Sequence, residues 1–222
     1  MINAFHGKSC QAAFPSSMGY RHLLLISLGL TLGCAAFATE KMEMHEHADH
    51  HHAMDTNATI KRSEINYQIP TLKLVRNDGV AVSFPEEIDD GRPVILDFIY
   101  TSCTDICPMT SLVFSQIQKK LAKDVTKVHL VSISIDPEFD TPERLTAYAK
   151  RYNASPQWQH YTGKIGDSVA MQKAFDAYRG DKMNHTPVTY IRPAPGKPWV
   201  RLDGFANPNE IVRELPQLAS AQ

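Results

Sequence analysis

At 222 residues the chain is long enough for one well-buried domain with length to spare at its ends. Its 23 basic and 24 acidic residues nearly cancel, and the basic ones are scattered, which excludes nucleic acid as the partner because phosphate binding needs a concentrated basic patch. Hydrophobic residues make up 43%, a globular rather than a disordered composition.

Residues 1–38 read as an address. Arg21 and His22 precede an apolar run, Leu23 to Ala38, and Ala36-Phe37-Ala38 gives a small-x-small cleavage pattern before Thr39. Met18 is an alternative start, because residues 1–17 lack leader character. Thr31-Leu32-Gly33 before Cys34 fits a lipid-attachment box poorly. Cleavage after Ala38 is expected, with an uncleaved membrane anchor as the rival. The run is short for a membrane span. Either way the protein is expected to be exported, to the periplasm or the outer side of the inner membrane. Cleavage removes Cys10 and Cys34 and leaves Cys103 and Cys107 as the only cysteines.

Residues 39–63 have almost no core-forming side chains and are expected to be a disordered His/Met-rich linker, Lys41 to Met54 being its densest part. Histidine and methionine suit copper in different oxidation states, and such tracts bind metal weakly. A solvated tether is the equally weighted reading.

The folded domain, residues 64–222, is expected to open with a hairpin. Thr71 to Val75 and Val80 to Phe84 flank Asn77-Asp78-Gly79, which readily adopts positive φ. Val94 to Tyr100 is a nearly continuous apolar run and reads as a buried central strand. The cysteines follow, with Pro108 at a position a first helical turn tolerates. Val113, Phe114, Ile117 and Leu121 make an apolar helical face.

Val128 to Ile135 predicts a second central strand. Asp140-Thr141-Pro142-Glu143 starts a helix to about Tyr152, with Asp136 ending the strand before it and Asp140 as the cap. This reading of the two acids is preferred to a hard-metal site. A short strand and a helix from Val169 to about Tyr178, capped by Asp167 or Ser168, come next. Val188 to Arg192 and Trp199 to Leu202 form a second hairpin, and Asn207-Pro208-Asn209-Glu210 starts a final helix. Trp158, Trp199 and the tyrosines are read as core or partner surface. Strands alternating with helices imply α/β architecture, a central mixed sheet flanked by helices. A dithiol where a central strand enters a helix makes it thioredoxin-like.

Cys103 and Cys107 stand at i and i+4, a spacing that places two soft sulfurs on one face of a first helical turn. With an imidazole added by the fold they would hold a soft metal. They could instead close as a disulfide and carry electrons. A purely structural bridge is disfavoured, since closing so short a loop stabilises little. His129 and His160 are read as structural.

Three motifs carry a family resemblance. They are Tyr100-Thr101-Ser102-Cys103-Thr104-Asp105-Ile106-Cys107-Pro108, the segment Ser134-Ile135-Asp136-Pro137-Glu138-Phe139-Asp140-Thr141-Pro142, and His185 ahead of a strand. The chain resembles the SCO/SenC family, thioredoxin-fold copper proteins involved in assembling the binuclear copper centre of cytochrome c oxidase, over roughly residues 64–218. The resemblance implies one copper ion held by Cys103, Cys107 and His185, and a copper chaperone whose partner is an apo cuproprotein such as a cytochrome c oxidase subunit. Thr104 departs from the family's proline. Thr186-Pro187 after the histidine is similar to the cis-proline loop of thioredoxins, and a cis Pro187 beside Cys103 would help dock a partner disulfide. The alternative is therefore a thiol-disulfide oxidoreductase, with Cys103 attacking and Cys107 resolving, that keeps a partner's cysteines reduced. A peroxidase is disfavoured, because Tyr100 stands where that motif needs proline. Copper buffering led by residues 41–54 is a third reading.

Overall fold

Apolar runs and capping residues order the chain into eight strands and five α-helices in the computed structural model, which describes residues 60–215. The leader expected at 1–38 and nearly all of the linker expected at 39–63 lie outside those residues. In chain order the elements are β1 (Lys61–Ile65), β2 (Lys73–Arg76), β3 (Ala81–Ser83), α1 (Phe84–Ile88), β4 (Val94–Ile99) and α2 (Ile106–Leu121). Then come β5 (His129–Ser134), α3 (Pro142–Arg151), β6 (Trp158–Thr162), α4 (Ile165–Ala174), β7 (Val188–Arg192), β8 (Trp199–Asp203) and α5 (Pro208–Arg213). All eight strands join one mixed sheet in the order β1-β8-β7-β4-β5-β6-β2-β3.

The expected hairpin forms between β2 and β3, with Leu74 opposite Val82 and Gly79 at φ +85° in the turn. Three elements differ from expectation, the first being helix α1, which begins at Phe84 where the second hairpin strand was expected to run on. β1 begins at Lys61 and pairs antiparallel with β8, Arg62 facing Leu202. Its sequence, Lys-Arg-Ser-Glu-Ile, is charged because it lies on the sheet edge, where charge also discourages pairing with other chains. Helix α4 starts at Ile165 behind Lys164, not at Val169, and ends before Tyr178, where Asp176 takes a positive φ of 52°. Ser168 does not cap it; its hydroxyl donates to the Ser134 carbonyl at 2.9 Å.

Every residue of β4 is buried, and its side chains alternate between two cores. Ile95 and Ile99 pack with Phe114, Ile117 and Leu121 of α2, with Leu145 of α3 and with Ile211 of α5. Val94, Leu96 and Phe98 pack with Phe84 and Ile88 of α1, with Met171 of α4 and with Phe175. Helices therefore cover both faces, as a thioredoxin-like sheet requires. Asn207 caps α5 in a full capping box with Glu210, and Thr141 caps α3, each cap contributing about 1 kcal/mol.

The pairing of β4 fixes where the distant segments meet. β4 runs parallel to β5 and antiparallel to β7, with Leu96 opposite Tyr190. Continuing that register carries the chain just before Val188 to the end of β4 from which the cysteines emerge. Chain direction alone thus delivers residues 182–187 to the dithiol end of the sheet.

Candidate metal and thiol centre

Cys103 does not lie in the helix. It closes a turn, its N–H donating to the Tyr100 carbonyl at 3.1 Å, and α2 begins three residues later. Its sulfur accepts the Cys107 backbone N–H at 3.3 Å. The Asp105 side chain makes no cap bond, so a sulfur occupies the place of the missing capping oxygen. Both cysteines are free thiols, Cys103 9% exposed and Cys107 fully buried.

The two thiols are unequal. Burial works against ionising Cys103, but the Cys107 and Asp105 backbone N–H groups, with help from Cys107 and the Tyr100 hydroxyl, bring its pKa below the ordinary thiol value. Burial pushes the Cys107 thiol well up, and charge at Cys103 and Asp97 pushes it further. Cys103 is therefore the more acidic and the more accessible of the two thiols.

Under Cys107 lies a carboxyl in an apolar slot. Asp97 is the single charged residue of β4 and shares the α2 face with Ile95 and Ile99. It accepts from Ser132 Oγ at 2.6 Å, and Trp158 Nε1 donates to the same Ser132 oxygen at 2.9 Å. Asp97 Oδ2 has no hydrogen-bond partner among the described residues. Burial pushes its pKa up to about 7, the Ser132 and Thr110 hydroxyls opposing.

Asp140 is wholly buried and does not cap α3; Thr141 does, accepting from the Arg144 N–H. The Asp140 carboxylate instead receives the Thr101 N–H at 3.1 and 3.2 Å, the Thr101 hydroxyl at 2.5 Å and the Ser134 hydroxyl at 2.6 Å. It fastens the turn that carries Cys103 to the end of β5. Asp136 lies beyond the end of β5 and pairs with Lys182 Nζ at 2.5 Å, tying down the opposite loop. Both carboxylates are thus engaged by partners within the chain.

Residues 182–184 form a single 3-10 turn, capped by the Asp181 side chain on the Met183 N–H. His185 ends it, its N–H on the Lys182 carbonyl at 3.1 Å. Burial lowers the pKa of the His185 imidazole, the Phe98 backbone opposing and the Arg179 charge reinforcing. At neutral pH the ring is uncharged, the form that binds metal. Its ring meets the Phe98 backbone, beside the cleft lined by Ile135, Asp136 and Tyr178. Among the described residues no three His, Cys, Asp or Glu side chains converge closely enough to hold a metal ion. The structure thus brings the two cysteines together and places His185 at the same end of the sheet, without closing the set.

No peptide bond among the described residues is cis, so Thr186-Pro187 does not form the expected cis-proline loop. Trans is the lower-energy isomer, and the Pro187 carbonyl is already engaged by the Gly204 N–H at 2.9 Å. His129 and His160, expected to be structural, are both buried. His129 Nε2 meets Gln159 Oε1 at 2.6 Å, and His160 stacks near Trp158 with centroids 5.1 Å apart.

Tyr100, Asp97, Asp140 and Met183 belong to the site's surroundings, and reading the sequence did not single them out for these roles. Asp97 could have been found as the lone acid in an apolar strand. Asp140 had no such signal, because its partner Thr101 is 39 residues away in the chain.

Comparison with known proteins gives the family and the fold. The family model for SCO1/SenC matches residues 63–220. The SCO1 homologue of Bacillus subtilis is 34% identical over 103 residues, 46% of this chain and 52% of that protein. A Stutzerimonas stutzeri protein named as copper-binding is 34% identical over 128 residues, 54% of this chain and 59% of that protein. The chain thus spans little more than half the length of these curated relatives. The solved structure of BsSco superposes with a TM-score of 0.59 at 28% identity, covering 72% of this chain and 98% of that one. BsSco is described as a member of the Sco family of cytochrome c oxidase assembly proteins with a disulfide switch. Sheet order, dithiol turn and family match together lead to one conclusion: the chain belongs to the SCO1/SenC family.

Proposed function

We propose that this protein is an exported copper chaperone. It takes one copper ion at Cys103, Cys107 and His185 and passes it to an apo cuproprotein, the binuclear copper centre of cytochrome c oxidase. The observation that carries the reading is a pair of free cysteines, sulfur against backbone amide at 3.3 Å, at the end of the sheet to which β7 also carries the tethered loop of His185. Thiolate and imidazole suit cuprous copper. Both thiols are free to bind that cargo, and His185 joins them by leaving Phe98. The copper-binding relative and the assembly role of BsSco support the same reading.

The test is metal analysis of freshly reduced protein. One tightly held copper per chain is expected, lost in Cys103→Ser and sharply weakened in His185→Ala. Wild-type protein that takes up no copper ends the reading.

A second reading rests on the unequal thiols above Asp97. In it the Cys103 thiolate attacks a partner's disulfide and forms a mixed disulfide. Cys107 gives up its proton and attacks the Cys103 sulfur. The partner leaves with two reduced thiols, and this chain keeps the Cys103–Cys107 disulfide, two electrons having moved. The readings are compatible, since a cuproprotein must have reduced cysteines before copper can bind them. Stoichiometric reduction of a disulfide substrate without copper uptake would favour the second alone.

A further inference from the structure

The loop that brings His185 carries another soft donor. Met183 is 72% exposed, more than any other large apolar side chain among the described residues. An exposed apolar residue alone signifies little. Here three observations give it a place. Its Sδ accepts the Tyr100 hydroxyl at 3.7 Å. The same hydroxyl also interacts with Cys103. The backbone beneath Met183 is held by the Asp181 cap at 2.9 Å and by the Lys182–Asp136 pair, with Lys182 Nζ 5.6 Å from the Tyr100 ring centroid. One phenol hydroxyl therefore stands between a thioether and the dithiol, while the His185 ring stays on Phe98.

We propose that the Met183 thioether is a further sulfur donor for cuprous copper held at the Cys103/Cys107 pair. The inference rests on the copper reading above and deepens it. A thioether is soft and neutral, needs no deprotonation, and selects the cuprous ion. Three side-chain torsions let the exposed Sδ swing inward, and the swing breaks only a weak O–H···S contact. The pinned loop supplies the pivot. In this arrangement Met183 meets the ion on the open side of the site, where a partner's ligand must also approach.

The experiment titrates reduced full-length protein with Cu(I) in competition with bicinchoninate. Met183→Leu keeps the apolar bulk and removes the sulfur. It is expected to lower Cu(I) affinity at least tenfold and leave thermal unfolding of the copper-free protein unchanged. X-ray absorption at the copper edge is expected to lose one sulfur neighbour. The double variant M183L/H185A is expected to bind more weakly than either single one. If wild type binds Cu(I) through its cysteines and Met183→Leu matches it in affinity and sulfur count, the inference is overturned and the chaperone reading survives. If wild type binds no Cu(I), both fall.

Discussion

Replacing Asp97 with asparagine removes a charge the fold can scarcely tolerate, and the effect should depend on pH in a defined direction. The carboxyl is fully buried beneath α2, with one oxygen on Ser132 and the other unpartnered among the described residues. Burial raises its pKa from an ordinary 3.8 to about 7. Well below the ordinary value it is protonated whether the chain is folded or unfolded. As pH rises towards 7 the unfolded chain releases the proton and the folded protein keeps it, so stability falls; above 7 both are ionised and the loss levels off. At about 1.4 kcal/mol per pH unit the full loss is on the order of 4 kcal/mol, of which roughly 2–3 kcal/mol falls between pH 5 and pH 8. The asparagine side chain cannot ionise. Its unpaired amide adds an offset of about 1–3 kcal/mol that does not vary with pH. Urea unfolding of both reduced proteins at pH 5, 6, 7 and 8 isolates the effect, since other titrating groups are common to the two. The variant should gain on wild type by roughly 2–3 kcal/mol across that range. Parallel pH profiles would show that the buried carboxyl does not titrate as argued.

The thiols should differ in reactivity at pH 7, iodoacetamide labelling Cys103 at least about tenfold faster than Cys107; equal labelling would contradict the described burial and pKa order. Asp140→Ala strands the Thr101 N–H and two hydroxyls, so urea unfolding should show a loss of about 2–3 kcal/mol; a change within error would mean that the turn holds without its anchor. Asn207→Ala should cost about 1 kcal/mol, seen as a melting temperature lower by roughly 2–4 °C, and Asn207→Ser should restore it. Deleting residues 41–54 should leave the tight copper in place, and loss of most copper uptake would favour buffering by that segment.

The fold was legible where hydrophobic pattern and chain direction agree. Val94 to Ile99 could only be an interior strand, and Asn207-Pro208-Asn209-Glu210 could hardly be anything but a helix start. β1 escaped because an edge strand needs charge more than apolar content, so its pairing with β8 leaves no periodic trace. The start of α4 escaped because Lys164 makes no cap bond there, while Asp167 and Ser168 offered a better signal a few residues late. For the site, the family motif pointed to the cysteines and to His185. It could not reveal that Asp140 reaches back to Thr101 or that Met183 meets Tyr100, because both contacts depend on tertiary placement.

The sulfur that closes the first turn of α2 has a consequence for how occupancy could be read. A capping atom that takes up metal, forms a bond to a partner or becomes oxidised can no longer accept the Cys107 amide proton on the same terms. Hydrogen exchange at that one amide is therefore a built-in gauge of whether the protein is empty, loaded or engaged, with no label attached.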